Sequence, residues 1–309
     1  MIVKLKVPVE TNTNPGSLAA EQPPNSSLAD VLIPVAWLLA LLVICFAPTL
    51  RHLVQDWIKN EDMGHGFFVP VVSAYIAWLK RGDLVFPVKV NKWGLVIVVV
   101  AALQQYVATL GAELFLARTA FVFSIYGVTL YLCGTANFKK LLLPLGLLFF
   151  MVPLPAIVYT QITFPLQLFA SRVAEDVLTL LGIPVLREGN VLELPSQKLS
   201  VVEACSGIRS LLSLSFLSLV YGYFFDNRPW MKFALLVATV PIAVLTNATR
   251  VTVTGILSER DPELARGFFH SAEGWLIFSV ALALLLFTHH LIKLVIRHGA
   301  GGKGASAAV

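Results

Sequence analysis

Residues 206–225 read "SGIRSLLSLSFLSLVYGYFF", and Arg209 is the only charge among them. At 1.5 Å per residue, a helix of about 20 residues reaches across the roughly 30 Å hydrocarbon core of a bilayer. Similar apolar runs lie near 31–50, 65–80, 93–111, 114–133, 141–158, 231–250 and 271–292. The whole chain follows suit, being 57% hydrophobic and 13% charged with a mean hydropathy of +0.79. An ordinary soluble domain is about 45–50% apolar and 25% charged. The expected fold class is therefore an all-α polytopic membrane protein with about eight transmembrane helices.

Lysine and arginine set the orientation. With a cytoplasmic N-terminus, the inner connections carry Lys80, Arg81, Lys89 and Lys92, then Lys139 and Lys140, Arg228 and Lys232, and finally Lys293, Arg297 and Lys303. The outer connections hold Arg51, Lys59, Arg172, Arg187, Lys198, Arg260 and Arg266, spread over longer stretches. The positive-inside rule then puts both ends in the cytoplasm. Residues 1–30, rich in Asn, Pro and Ser, read as a disordered cytoplasmic tail without the basic start of a cleaved signal. Residues 31–296 form the membrane domain, and 297–309 a second cytoplasmic tail.

The long connection 159–204 falls on the outer face. Its first half places Leu166, Phe169, Val173, Val177 and Leu180 along one helical face, with Gln167, Ser171, Arg172, Glu175 and Asp176 largely elsewhere. That pattern suits a periplasmic amphipathic helix lying in the interface. Its second half has turn chemistry at Glu188-Gly189-Asn190 and at Pro195-Ser196 between short apolar runs, which predicts a small β-ribbon.

Chemistry concentrates just after it. Cys45 and Cys133 lie in apolar runs and read as packing residues. Cys205, in "VVEACSGIRSL", stands where a helix starts on the outer face, and free N–H groups and the helix dipole lower the pKa of a thiol there. Arg209, four residues on, shares its face. The run "VLTNATRVTVTG" brings Arg250 to the same membrane edge, and "ARGFFHSAEGW" brings His270. A thiolate, a histidine to move protons and an arginine to hold an oxyanion make an acyl-transfer set. Asn247, one turn before Arg250, can orient the guanidinium. His65, beside Glu61 and Asp62 at another outer helix start, is a competing base. His52 is on the outer side without a motif, and His289, His290 and His298 lie at the cytoplasmic end. No Cys/His metal spacing is present, and neither a metal nor a cofactor is expected.

In order and spacing, "VVEACSGIRSL", "NATR" and "FHSAEGW" resemble the three motifs of the exosortase family, relatives of the archaeosortases. "WIKNEDMGHGFFVPVVSAYIAW" is similar to an early family signature, here with Met-Gly before His65. The resemblance covers about residues 30 to 292. Val251 stands after "NATR" where the family pattern has isoleucine, and the extra C-terminal domain of some members has no counterpart.

By this resemblance Cys205 is the nucleophile, Arg250 the oxyanion- or substrate-orienting arginine and His270 the general acid/base. Glu203, Arg209, Asn247, His65, Arg172 and Arg187 are the supporting residues. The implied activity is that of a membrane cysteine transpeptidase in a bacterial inner membrane, working on the periplasmic side. Its partners are secreted proteins with a Pro-Glu-Pro-type C-terminal sorting signal (PEP-CTERM). The acceptor is a lipid amine, another amine or water, and no nucleic acid is involved. Any of Arg209, Arg172 and Arg187 could meet the signal's glutamate. A membrane cysteine protease using water and a non-enzymatic export component are the other readings. Against transport, no inverted repeat is visible, and no acid lies deep in a span apart from Glu113 near the short outer turn.

Overall fold

The computed structural model describes residues 28–86, 88–200, 207–260 and 268–304. Among these, α1 (Leu28–Cys45) and α2 (Ala47–Lys59) lead into a 3-10 turn (Glu61–Phe67) and α3 (Phe68–Leu79). A second 3-10 turn (Lys80–Asp83) precedes α4 (Trp93–Leu110) and α5 (Leu114–Lys140). Then come α6 (Leu142–Leu147), a 3-10 turn (Leu148–Met151) and α7 (Ala156–Leu180). Beyond a small sheet lie α8 (Gly207–Phe225), α9 (Pro229–Arg260) and α10 (Phe268–Gly304).

By length and composition α4, α5, α9 and the Gly274–Arg297 part of α10 can each cross a bilayer. Two further candidates are bent pairs: Ile33–Cys45 with Ala47–Lys59, at 77°, and Leu142–Met151 with Ala156–Leu180, at 86°. The protein is thus multi-pass, with four to six candidate spans among the described residues where the apolar runs predict eight. The difference lies in α3, only 12 residues long, and in α8, whose apolar stretch Arg209–Phe225 also falls short of a span. Proline explains both bends. Pro48 occupies the first turn of α2, where a missing N–H costs nothing. Pro153 and Pro155 hold the chain extended between Met151 and Ala156. The second bend also moves a boundary: the run expected to end at 158 breaks at these prolines, and its tail begins α7.

The α4–α5 hairpin closes tightly because Gly94 and Gly127 face each other. A Cβ on Gly94 would strike the backbone of Tyr131 and Gly127, and one on Gly127 would strike Gly94 O and Val98. Glu113 caps α5, its carboxylate accepting from Leu116 N at 2.6 Å. Sequence reasoning passed over Arg118, which is buried in α5 and paired with Asp56 of α2.

Helices α8, α9 and α10 run alternately up and down around Leu214, Met231, Leu235, Ile242, Ala281 and Leu285. The short turn between α8 and α9 makes their Phe225 and Pro229 ends neighbours. Arg209 and Arg250 therefore sit toward the opposite end, Arg250 being about 32 Å along α9 from Pro229.

The predicted ribbon is present. Strands β1 (Leu186–Glu188), β2 (Val191–Glu193) and β3 (Lys198–Ser200) pair antiparallel in that order, with Arg187 opposite Leu192 and Leu192 opposite Leu199. Leu192, Leu194 and Leu199 pack down on Ala170, Ala174 and Leu178 of α7 and on Ala248 and Val251 of α9. On α7 the buried residues are Thr163, Gln167, Ala170, Ser171, Ala174 and Leu178. Phe169 and Leu180, from the stripe predicted as apolar, are exposed. The face that α7 packs against the protein is thus mostly small and polar, apart from Leu178, while its outward side mixes Phe169 and Leu180 with Arg172 and Asp176.

Candidate functional site

Arg209 stands in the first turn of α8, and its Nε donates to Asp62 Oδ1 at 3.0 Å. Asp62 Oδ2 accepts from the Tyr159 hydroxyl of α7 at 2.8 Å. Asn60 holds the start of the 3-10 turn by accepting from Asp62 N at 3.0 Å. The Asp62 side chain is 14% exposed and that of Arg209 41%, so the carboxylate is largely withdrawn from water while the guanidinium still reaches it. Three elements meet at one carboxylate, and the guanidinium of Arg209 is oriented by it.

One turn further on, the same two elements meet again. His65 Nδ1 lies 3.2 Å from Ser213 Oγ, and His65 Nε2 lies 3.1 Å from Phe150 O. A carbonyl can only accept, so Nε2 carries the proton and Nδ1 of the neutral ring accepts from Ser213. The spacing is set by helix geometry. Asp62 and His65 are three residues apart in a 3-10 turn that rises about 2 Å per residue; Arg209 and Ser213 are four apart in an α-helix that rises about 1.5 Å. Both steps advance about 6 Å, so the two pairs sit in register.

The 3-10 turn is itself clamped. Trp57 Nε1 donates to Met151 O at 2.9 Å, and with His65 on Phe150 O, side chains satisfy two carbonyls where the turn Leu148–Met151 ends. The indole lies where a Cβ on Gly66 would be, so "GHGFF" needs glycine at that position.

Arg250 enters from α9. Its residue is half-buried, and its Nε is buried with no hydrogen-bond partner among the described residues. Asn247, also buried, shares a crevice with Ala243 and Val244 of α9, Leu211 of α8 and Leu166 of α7. This turn of α9 therefore faces α8 two residues beyond Arg209.

The other residues singled out from sequence fall as follows. Arg187 of β1 is paired with Glu175 of α7 at 2.6 Å. Arg172 is exposed on α7. Cys205 and Glu203 lie outside the described residues. His270 falls in the first turn of α10, and its side chain is likewise outside them. The structure thus brings together Arg209, His65, Asp62, Tyr159 and Ser213, with Asn247 and Arg250 on the neighbouring helix at the same end. Sequence reasoning missed Tyr159 and Ser213, and it noted Asp62 only as a neighbour of His65. Asp62 and Arg209 are 147 positions apart, and no local pattern joins them.

A family model described as transmembrane exosortase matches residues 57–287, more than half of the chain. No curated protein and no solved structure matches it. The matched segment begins at Trp57, whose indole clamps the 3-10 turn, and takes in α8, α9 and most of α10.

Proposed function

Since the chain belongs to the transmembrane exosortase family, we propose that it cleaves C-terminal sorting signals of secreted proteins at the outer face of a bacterial inner membrane and passes the new C-terminus to an acceptor amine. In this reading Cys205 Sγ attacks the peptide carbonyl. The C–S bond forms, the C–N bond breaks, and His270 gives the leaving amine its proton. The acceptor amine then attacks the thioester and loses a proton to His270, and the thiolate is released. Arg250 donates to the oxyanion in both steps.

One observation carries the reading. Arg250 keeps a buried Nε with no hydrogen-bond partner among the described residues, on a turn of α9 that faces the start of α8. A buried donor without an acceptor is rare in a folded protein and marks a place for an oxygen that arrives with a ligand. Support for the side comes from the opposite end of the helices, where Lys80, Lys140, Arg228, Lys232 and Lys293 collect. Of the arginines that could meet a signal glutamate, Arg209 and Arg187 already hold carboxylates, while Arg172 is exposed.

The test is co-expression with a secreted protein ending in a Pro-Glu-Pro motif, an apolar helix and a basic tail. Cys205→Ala is expected to insert normally and leave the substrate full-length. Full conversion by that variant overturns the assignment. The mass of the mature substrate then reads the acceptor: an added group on its C-terminus is expected, and a free carboxylate on every molecule makes the enzyme a protease that uses water.

A further inference from the structure

At the end of the bundle remote from Arg209 and Arg250, the α8–α9 turn and the end of α10 enclose a recess of about 450 Å³. Arg228, His290, Lys293 and Arg297 line it, and Asp226 is the single acid among the lining residues. That acid is already occupied. Its Oδ1 accepts from Arg228 N at 2.9 Å, and its Oδ2 faces His289 Nε2 at 3.5 Å and Lys293 Nζ at 3.6 Å. The Arg228 N–H, followed by His289 and Lys293, holds the carboxyl below its usual range. Lys293 is further tied to Phe225 O at 3.2 Å.

The guanidinium groups of Arg228 and Arg297 are not used in this way. Both residues are exposed, and neither pairs with a carboxylate among the described residues. The recess therefore keeps about two positive charges beyond what its own acid offsets. Its remaining wall is apolar: Phe225, Leu294 and Ile296 line it, and the first two are largely exposed. The ring of Tyr221 backs that wall, stacked on Phe225 with centroids 4.6 Å apart and hydrogen-bonded to His289 Nδ1 at 2.8 Å.

Two spare guanidiniums beside an ammonium fit a phosphate, since the fork of arginine matches its oxygens. The apolar wall fits what a free phosphate lacks, a hydrocarbon chain. The place agrees, because the recess sits at the end of the Gly274–Arg297 span, level with lipid headgroups. We propose that this recess binds the phosphate of an anionic phospholipid, with Arg228 and Arg297 as its main ligands, in the leaflet on the side where lysine and arginine collect. A lipid phosphate held there ties α8, α9 and α10 together at the end away from the proposed chemistry.

The full chain in neutral detergent provides the test, with Tm followed as lipid is added. Phosphatidylglycerol is expected to raise Tm in a saturable way. Phosphatidylcholine, whose choline cancels the phosphate charge, and millimolar inorganic phosphate are expected to leave it unchanged. The Arg228→Gln/Arg297→Gln double variant should lose most of the phosphatidylglycerol effect relative to its own lipid-free baseline. The Lys92→Gln/Lys139→Gln variant, with the same net charge and both changes at exposed positions, should keep it. Equal loss in both double variants overturns the site in favour of general attraction between charges, and an equal rise with phosphatidylcholine overturns it in favour of a lipid effect that does not depend on charge. An equal rise with inorganic phosphate overturns the lipid as its source. If the Arg228/Arg297 variant does not fold, each single change to Gln is expected to lose part of the effect, and full retention in both overturns the proposal.

Discussion

The two ends of α8 use charge in opposite ways. At its start Asp62 accepts from Arg209 on one carboxylate oxygen and from the Tyr159 hydroxyl on the other. At its far end Asp226 is shared among a backbone N–H, a histidine and a lysine, and Arg228 and Arg297 pair with no carboxylate among the described residues. A close ion pair fixes where a guanidinium points. A saturated acid leaves its surplus cations available to something that comes from outside the chain. The first arrangement suits positioning and the second suits binding.

Asp62→Ala tests the first arrangement most severely. It removes the carboxylate that accepts from both the Arg209 guanidinium and the Tyr159 hydroxyl, for a loss of roughly 1–3 kcal/mol. Processing of a co-expressed substrate is expected to fall further than stability alone explains, because Arg209 and the turn that follows Cys205 lose their reference point. Asp62→Asn, which keeps one acceptor oxygen, should recover part of the activity. Equal processing by Ala, Asn and the parent would mean that the pair only packs. Thermal melts of the same variants separate the two effects.

Asp226→Asn probes the other end and comes next in size. Losing a charged acceptor for Arg228 N and a counter-charge for Lys293 should cost about 1 kcal/mol in lipid-free detergent. The same change adds positive charge to the recess, so the rise in Tm with phosphatidylglycerol should grow. A smaller rise would show that Asp226 holds the arginines in place and that the recess is not simply a sum of charges.

Ser213→Ala has the smallest expected effect. It removes one hydrogen bond to His65 Nδ1 while Phe150 O keeps the ring in place, for about 0.5–1 kcal/mol by thermal melt. Processing should persist. Its abolition would make His65 more than a tether and reopen the choice between His65 and His270 as the base.

Local signals reached some parts of this molecule and not others. The β-ribbon was legible because Gly189-Asn190 and Pro195-Ser196 are turn chemistry at short range, and the strands fall between them. The helices α4 and α8 match apolar runs almost residue for residue, since hydropathy alone sets such boundaries. The bent pairs were harder. An apolar run reads the same on both sides of Phe46, and only the extended geometry around the prolines divides 141–158. The turn Glu61–Phe67 was missed as well, because 3-10 and α segments have nearly the same apolar pattern over seven residues. At the site, Arg209 and His65 stood out through their motifs, whereas Tyr159 and Ser213 matter only through tertiary contacts. No local periodicity distinguishes a tyrosine or serine that meets a partner from one that does not.

The matched steps of the 3-10 turn and α8 give the helix an indexed position along its own axis. Sliding α8 by one residue moves it about 1.5 Å and turns it about 100°, so Arg209 and Ser213 leave Asp62 and His65 together rather than one after the other. Two pins set at a common pitch reject partial engagement. A residue inserted after Ser213 leaves both pins seated and shifts the error to the far end of the helix. A residue inserted between Arg209 and Ser213 unseats one of them, and the first turn of α8 is then free to rotate against the rest of the protein.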